Sequence, residues 1–199
     1  PHGKKFFSER SANTACLPVD NHELPLIGHL IEMEFPSWLQ TALGYLDLKM
    51  FDEAWAAIDE LPEARKNSVE ALSLRVTCRL DEERYSEALE ICSEICRRFP
   101  GEHSGYIQGA YCLHEMGRTD AAQRWLQSGP TSLQAEATYF YNLGCYDLAL
   151  GREESACAWL IQAFEMEPDY YEDALEDPDF KPILDRIHRM GEDEDEDFN

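Results

Sequence analysis

The sequence predicts an all-α protein built as a stack of about four helical hairpins, and three observations carry that prediction. Apolar residues recur at helical spacing through most of the chain, in runs of about a dozen broken by short turns. Alanine recurs at a fixed step of 34 residues, at Ala54, Ala88, Ala122 and Ala156, each near the start of a second helix: FDEAWAAI, YSEALEIC, TDAAQRWL and REESACAWL. A bulky-then-small pair in the preceding helix keeps the same step, as Trp38/Ala42, Leu72/Val76, Tyr106/Ala110 and Phe140/Gly144. Unrelated amphipathic helices have no reason to share one period over four units. A shared period means that each unit buries its apolar face against the next.

Taken in order, residues 1–25 show no period and are expected to form a mobile arm. The first ten are basic, through Lys4, Lys5 and Arg10, and contain Phe6-Phe7. The short apolar stretch LIGHLIEMEF, residues 26–35, fits one helical face and could be a helix covering the open end of the stack, with a short extended segment as the alternative. Repeat one, about 35–66, has helices expected near Pro36–Leu48 and Phe51–Glu60, with Pro36 suited to a first helical turn. Repeat two, about 67–100, places them near Ser68–Leu80 and Tyr85–Arg98. Repeat three, about 101–134, places them near Glu102–Met116 and Thr119–Gln127, the second cut short by Ser128-Gly129-Pro130. Repeat four, about 135–168, is expected at Leu133–Ala149 and Glu153–Met166. The turn glycine is present at Gly117 and Gly151 but replaced by Lys49 and Glu83. The closing proline is present at Pro100 and Pro168 but replaced by Lys66 and Gln134. Asp177-Pro178 is a helix-start signal. Phe180, Ile183, Leu184 and Ile187 then mark the face of a capping helix over 178–190. The acidic residues 191–199 cannot bury a core and are expected to be disordered.

The stretch from Tyr139 to Pro168, YFYNLGCYDLALGREESACAWLIQAFEMEP, carries a resemblance. Its aromatic, its Leu143-Gly144, its turn Gly151, its Ala156 and Ala163 and its closing Pro168 resemble the tetratricopeptide repeat (TPR), a 34-residue helix–turn–helix unit. The resemblance implies an α-solenoid wound as a right-handed superhelix, with residues 26–190 as the TPR domain. It also implies that the first helices line a concave, peptide-binding face. The side chains so placed are Leu39, Leu43 and Leu46 from repeat one and Leu74 and Thr77 from repeat two. Ile107, Gln108 and Tyr111 come from repeat three, and Tyr141, Asn142, Cys145 and Leu148 from repeat four. Asn142 matches a position where the family often uses asparagine to hold a ligand backbone.

Charge narrows the partner. Forty acidic residues against 17 basic give a net charge of −23, and removing the run Glu192–Asp197 still leaves about −17. Such a surface repels nucleic acid and anionic membrane and attracts basic partners. TPR proteins that hold acidic chaperone tails grip carboxylates with Lys and Arg. The implied groove here has no Lys and an acidic surround, so acidic tails are excluded as ligands. An apolar segment flanked by Lys or Arg suits it instead. The chain's own N-terminal segment and a dimer mate are two further occupants to weigh.

Chemistry is sparse. Seven cysteines, an odd number and mostly within helices, argue against a disulfide framework and for a reducing compartment. Cys92 and Cys96 stand one turn apart with no further ligand at metal spacing. No glycine-rich phosphate loop, nucleophile elbow or HExxH motif occurs, so neither cofactor, metal nor catalysis is expected. No transmembrane span and no signal-peptide core are read, and a cytoplasmic location is expected. The sequence therefore supports a non-catalytic adaptor or scaffold. The alternative is a small acidic chaperone similar in size and charge to those of type III secretion, which keep membrane-active clients from aggregating.

Overall fold

A computed structural model describes residues 37–176, 180 and 183–188. The expected arm 1–25, the apolar stretch 26–35 and the acidic tail 191–199 lie outside the described residues. No strand occurs among the described residues, and ten α-helices and one 3₁₀ turn follow one another. They are α1 (Ser37–Asp47), α2 (Phe51–Asp59), α3 (Glu63–Lys66), α4 (Val69–Asp81), α5 (Tyr85–Arg98), α6 (Ser104–Glu115), α7 (Thr119–Gln127), a 3₁₀ turn (Thr131–Ala135), α8 (Ala137–Ala149), α9 (Glu153–Met166) and α10 (Asp169–Glu176). Residues 183–188 form one further helical turn and a half.

The four expected hairpins are α1/α2, α4/α5, α6/α7 and α8/α9. Each closes through the same turn conformation. Gly117 and Gly151 take positive φ of 74° and 73°, and Lys49 and Glu83 take 56° and 57° at the equivalent places. The left-handed conformation favours glycine because a Cβ crowds the following carbonyl. The turn is therefore imposed by the hairpin even where its preferred residue is missing. Backbone bonds close it identically: the amide of Glu83 donates to the Leu80 carbonyl and that of Gly117 to the His114 carbonyl.

The alanines of the repeat are all fully buried: Ala54, Ala88, Ala122 and Ala156 are each 0% exposed. They sit where the two helices of a hairpin meet, and the small residues of the first helix face them. At Gly144 an added Cβ would stand 2.6 Å from Leu160 Cγ, and at Gly109 it would stand 2.5 Å from Trp125 Nε1. The core falls into three clusters along the stack. Ala42, Leu46, Ile58, Leu74 and Cys78 pack at one end, and Leu72, Val76, Cys92, Ile95 and Cys112 in the middle. Leu126, Leu143, Tyr146, Leu160, Phe180, Ile183 and Leu184 pack at the other end. Each fully buried Leu or Ile contributes about 1.5–3 kcal/mol relative to exposure.

Two connectors differ from expectation. The fourth first helix starts at Ala137 and not at Leu133, which is fully buried in the 3₁₀ turn. The reason is local: Gly129-Pro130 ends α7 after nine residues, and the tighter 3₁₀ turn makes up the missing length. Glu136, at φ −99° and ψ 124°, then breaks the turn from α8. Between repeats one and two, the short α3 is held by Asn67, whose side-chain amide donates to the Glu63 carbonyl at 3.2 Å. Arg98 of α5 donates to the Asn67 carbonyl at 2.9 Å, tying the connector to the next hairpin.

The C-terminal end carries more helix than the capping helix alone. Helix α10 lies outside the expected elements; its Ala174 is fully buried and Tyr171 meets Phe164 edge-on at 5.3 Å. Of the expected capping segment 178–190, the described residues 183–188 are helical, and Phe180, Ile183 and Leu184 are buried. Arg186 ties this segment to α9 through Glu153 at 3.1 Å.

Candidate functional site

Helices α1, α4, α6 and α8 contact one another in succession more extensively than α2, α5, α7 and α9 do. They form one row along the solenoid, the row that carries the expected groove residues. The structure distributes the twelve expected groove residues unevenly along this row. Leu46, Leu74, Gln108, Tyr111, Asn142 and Cys145 are buried. Leu39, Thr77, Ile107, Tyr141 and Leu148 are half-buried, and Leu43 is exposed. The accessible apolar surface therefore comes from Leu39, Leu43, Ile107 and Leu148 more than from the tyrosines. Tyr141 stacks on Tyr170 at 4.7 Å and on Phe180 at 5.9 Å, so the C-terminal segment covers its ring. Tyr111 meets Tyr85 edge-on at 6.2 Å.

Several polar groups lie beneath this surface. Asn142 is 2% exposed and its side-chain NH₂ has no hydrogen-bond partner among the described residues. The Tyr146 hydroxyl is likewise fully buried and unpartnered, beside the ring of His114 at 5.1 Å. Burial pushes Tyr146 well above the ordinary phenol range and pushes His114 down, so both stay neutral at pH 7. Unpaired buried polar atoms are costly, and they are informative because folded proteins have few. Sequence reading missed Tyr146: its position in the repeat reads as an ordinary core aromatic.

Carboxylates mark the edge of the row. Asp81, at the end of α4, is pushed up by burial and drawn back by Lys49. Glu115, at the end of α6, is pushed up by burial and by Glu83, against the hydroxyl of Tyr85. Tyr85 is itself pushed up to about 12, mainly by burial and then by Glu115 and Glu83.

Other polar clusters are structural. Asp147, 3% exposed, accepts from Gln123 Nε2 at 2.9 Å, Arg152 Nη1 at 3.3 Å and Trp159 Nε1 at 3.1 Å, which joins repeats three and four. Trp55 lies under Arg79 at 3.9 Å and Arg75 at 5.1 Å, and Arg75 pairs with Asp59 at 2.6 Å. His103 links Ser132 at 2.8 Å to Glu136 at 3.1 Å, an order resembling a serine-hydrolase triad. Ser132 and Glu136 are exposed on a connecting turn, where water competes for both bonds. This string reads as a staple holding the 3₁₀ turn to α6. The Cys78 and Cys96 thiols are pushed up to about 11 by burial, which makes them poor nucleophiles and poor metal ligands. Among the described residues no group of three or more His, Cys, Asp or Glu could hold a metal. No helix among them is long and apolar enough to cross a membrane.

Comparison with known proteins agrees on the fold. No family model matches the chain, and no curated protein does. Solved structures do. MamA 41-end from Desulfovibrio magneticus RS-1 is 15% identical, with a TM-score of 0.60, covering 82% of this chain and 96% of that one. Another MamA crystal structure is 18% identical, with a TM-score of 0.59, covering 77% and 85%. A tetratricopeptide repeat protein from Parabacteroides merdae ATCC 43184 is 18% identical, with a TM-score of 0.57, covering 76% of this chain and 57% of that one. The chain is thus an α-solenoid of TPR-like hairpins.

Proposed function

We propose that this solenoid is a non-catalytic protein-interaction scaffold that receives an apolar peptide segment with basic flanks on its concave face. The observation that carries the reading is the contrast along the row of first helices. Leu39, Leu43, Ile107 and Leu148 leave apolar surface accessible on a chain of net charge −23. Apolar surface gives affinity, and the surrounding acids attract Lys and Arg and reject acidic competitors. Tyr111 and Tyr141 line this face too, but both rings already pack within the fold, so their truncation would test stability as much as binding.

The test is selection of a displayed random-peptide library on the full chain, followed by fluorescence anisotropy of enriched peptides. Apolar cores flanked by Lys or Arg are expected, with affinity falling at least tenfold in Leu43→Asp and Ile107→Asp. Enrichment of acidic peptides, or equal binding by both variants, would overturn the reading.

A further inference from the structure

One expected groove residue already has an occupant from the chain itself. Tyr141 of α8 stacks on Tyr170 of α10, with ring centroids 4.7 Å apart and planes 19° from parallel. Three residues earlier on α8, the Thr138 hydroxyl shares a hydrogen bond with the Tyr170 hydroxyl at 2.6 Å. Residues three apart on a helix are surface neighbours, so Thr138 and Tyr141 act as one patch. That patch grips a single tyrosine by both of its distinguishing features, the ring face and the hydroxyl.

This grip differs from the packing that holds the rest of the segment. Ala174, Phe180, Ile183 and Leu184 are buried, and with Tyr171 they join the apolar cluster at this end of the stack. Tyr170 is half-buried and stands beyond that cluster, against Thr138 and Tyr141. Its ring can swing away while Ala174 and Tyr171 keep α10 docked. The segment also has the wrong charge for its position. Residues 169–188 carry seven acids against Lys181 and Arg186, on a chain of net charge −23. Arg186 reaches Glu153 at 3.1 Å and Glu154 at 3.5 Å, the contact a basic flank would make. An aromatic segment with more Lys or Arg and fewer acids would make the same contacts with less repulsion.

We propose that Thr138 and Tyr141 form a subsite for a tyrosine side chain of the client segment, and that Tyr170 is the chain's own occupant, which the client displaces. This rests on the reading that the row of first helices receives an apolar, basic-flanked peptide. It adds the residue that such a peptide presents to repeat four.

The probe is a fluorescein-labelled synthetic heptapeptide with a central tyrosine, a leucine on each side and two lysines at each end. Fluorescence anisotropy compares its affinity for the full chain with that of two analogues carrying phenylalanine or alanine at the centre. The tyrosine peptide should bind about two- to tenfold tighter than the phenylalanine peptide, the difference one hydrogen bond makes. The alanine peptide should bind more weakly than either. Thr138→Val should erase the preference for tyrosine over phenylalanine. Tyr170→Ala should bind the tyrosine peptide at least about fivefold tighter, because the tethered competitor is gone. Leu175→Ser, at an exposed site on the same helix, should bind it as the unaltered chain does. Circular dichroism confirms that each variant is folded. A Tyr170→Ala chain that binds the tyrosine peptide no tighter would overturn the proposal. So would a tyrosine preference that survives in Thr138→Val, or a gain in Leu175→Ser equal to that in Tyr170→Ala. Selected peptides that bind the row of first helices without regard to tyrosine would leave the scaffold reading standing and remove this one alone.

Discussion

Replacing Gly144 by alanine tests the helix crossing that the whole repeat depends on. An added Cβ would stand 2.6 Å from Leu160 Cγ, 2.8 Å from its Cδ2 and 3.4 Å from the Ala156 carbonyl oxygen. Leu160 is fully buried, so it cannot swing away without displacing other core side chains. Overpacking of this kind costs about 1–3 kcal/mol. Against it stands the helix propensity of alanine, which favours the substitution by about 0.8–1 kcal/mol. The net expectation is a destabilisation of roughly 1 kcal/mol. Gly44 supplies the control, because it lies exposed in α1 and an added Cβ there meets nothing within 4 Å. Gly44→Ala should therefore stabilise by about 0.5–1 kcal/mol. The two variants should differ by about 2 kcal/mol, or about 4–8 °C in Tm for a domain of this size. Differential scanning calorimetry of both, at one concentration and pH, measures this. A rise in Tm of equal size in both would show that α8 and α9 do not meet closely at Gly144. The repeat register built on the small residues would then be wrong.

Three further outcomes are expected. Asp147→Ala should cost about 2–3 kcal/mol by leaving the donors of Gln123 and Trp159 unpaired, and a change in tryptophan emission should accompany lower urea resistance. Glu115 is pushed up in the folded chain, so its contribution is fully present below the unfolded-state pKa and is lost as pH rises through the folded value. Glu115→Gln should accordingly flatten that part of the stability–pH curve and raise stability at pH 7, and an unchanged curve in chemical denaturation would refute the coupling. Cys78, fully buried and pushed up to about 11, should resist iodoacetamide at pH 8 until the chain is denatured, and rapid labelling of the native protein followed by mass spectrometry would contradict its burial.

The periodic positions alone determined the architecture. Four alanines on one 34-residue step meant four equal close approaches, and all four are fully buried. Second-helix boundaries were legible too, because α5, α7 and α9 start and stop at turn and breaker residues that act locally. The sequence was less informative wherever the outcome depended on distant partners. No helix is expected over DYYEDALE, yet these residues form α10, with Ala174 fully buried and Tyr171 edge-on against Phe164 of α9. Lys49 and Glu83 looked like lost turns, yet the packing of each hairpin forces both into the left-handed conformation. The groove residues showed the same limit. Helical spacing names a face, but neighbouring helices decide how much of each side chain remains accessible. Leu43 stays exposed while Leu74 and Tyr111 on the same row are buried. His114 and Tyr146 meet at 5.1 Å only because α6 and α8 lie side by side, and side-by-side packing of helices one repeat apart is a property of the fold.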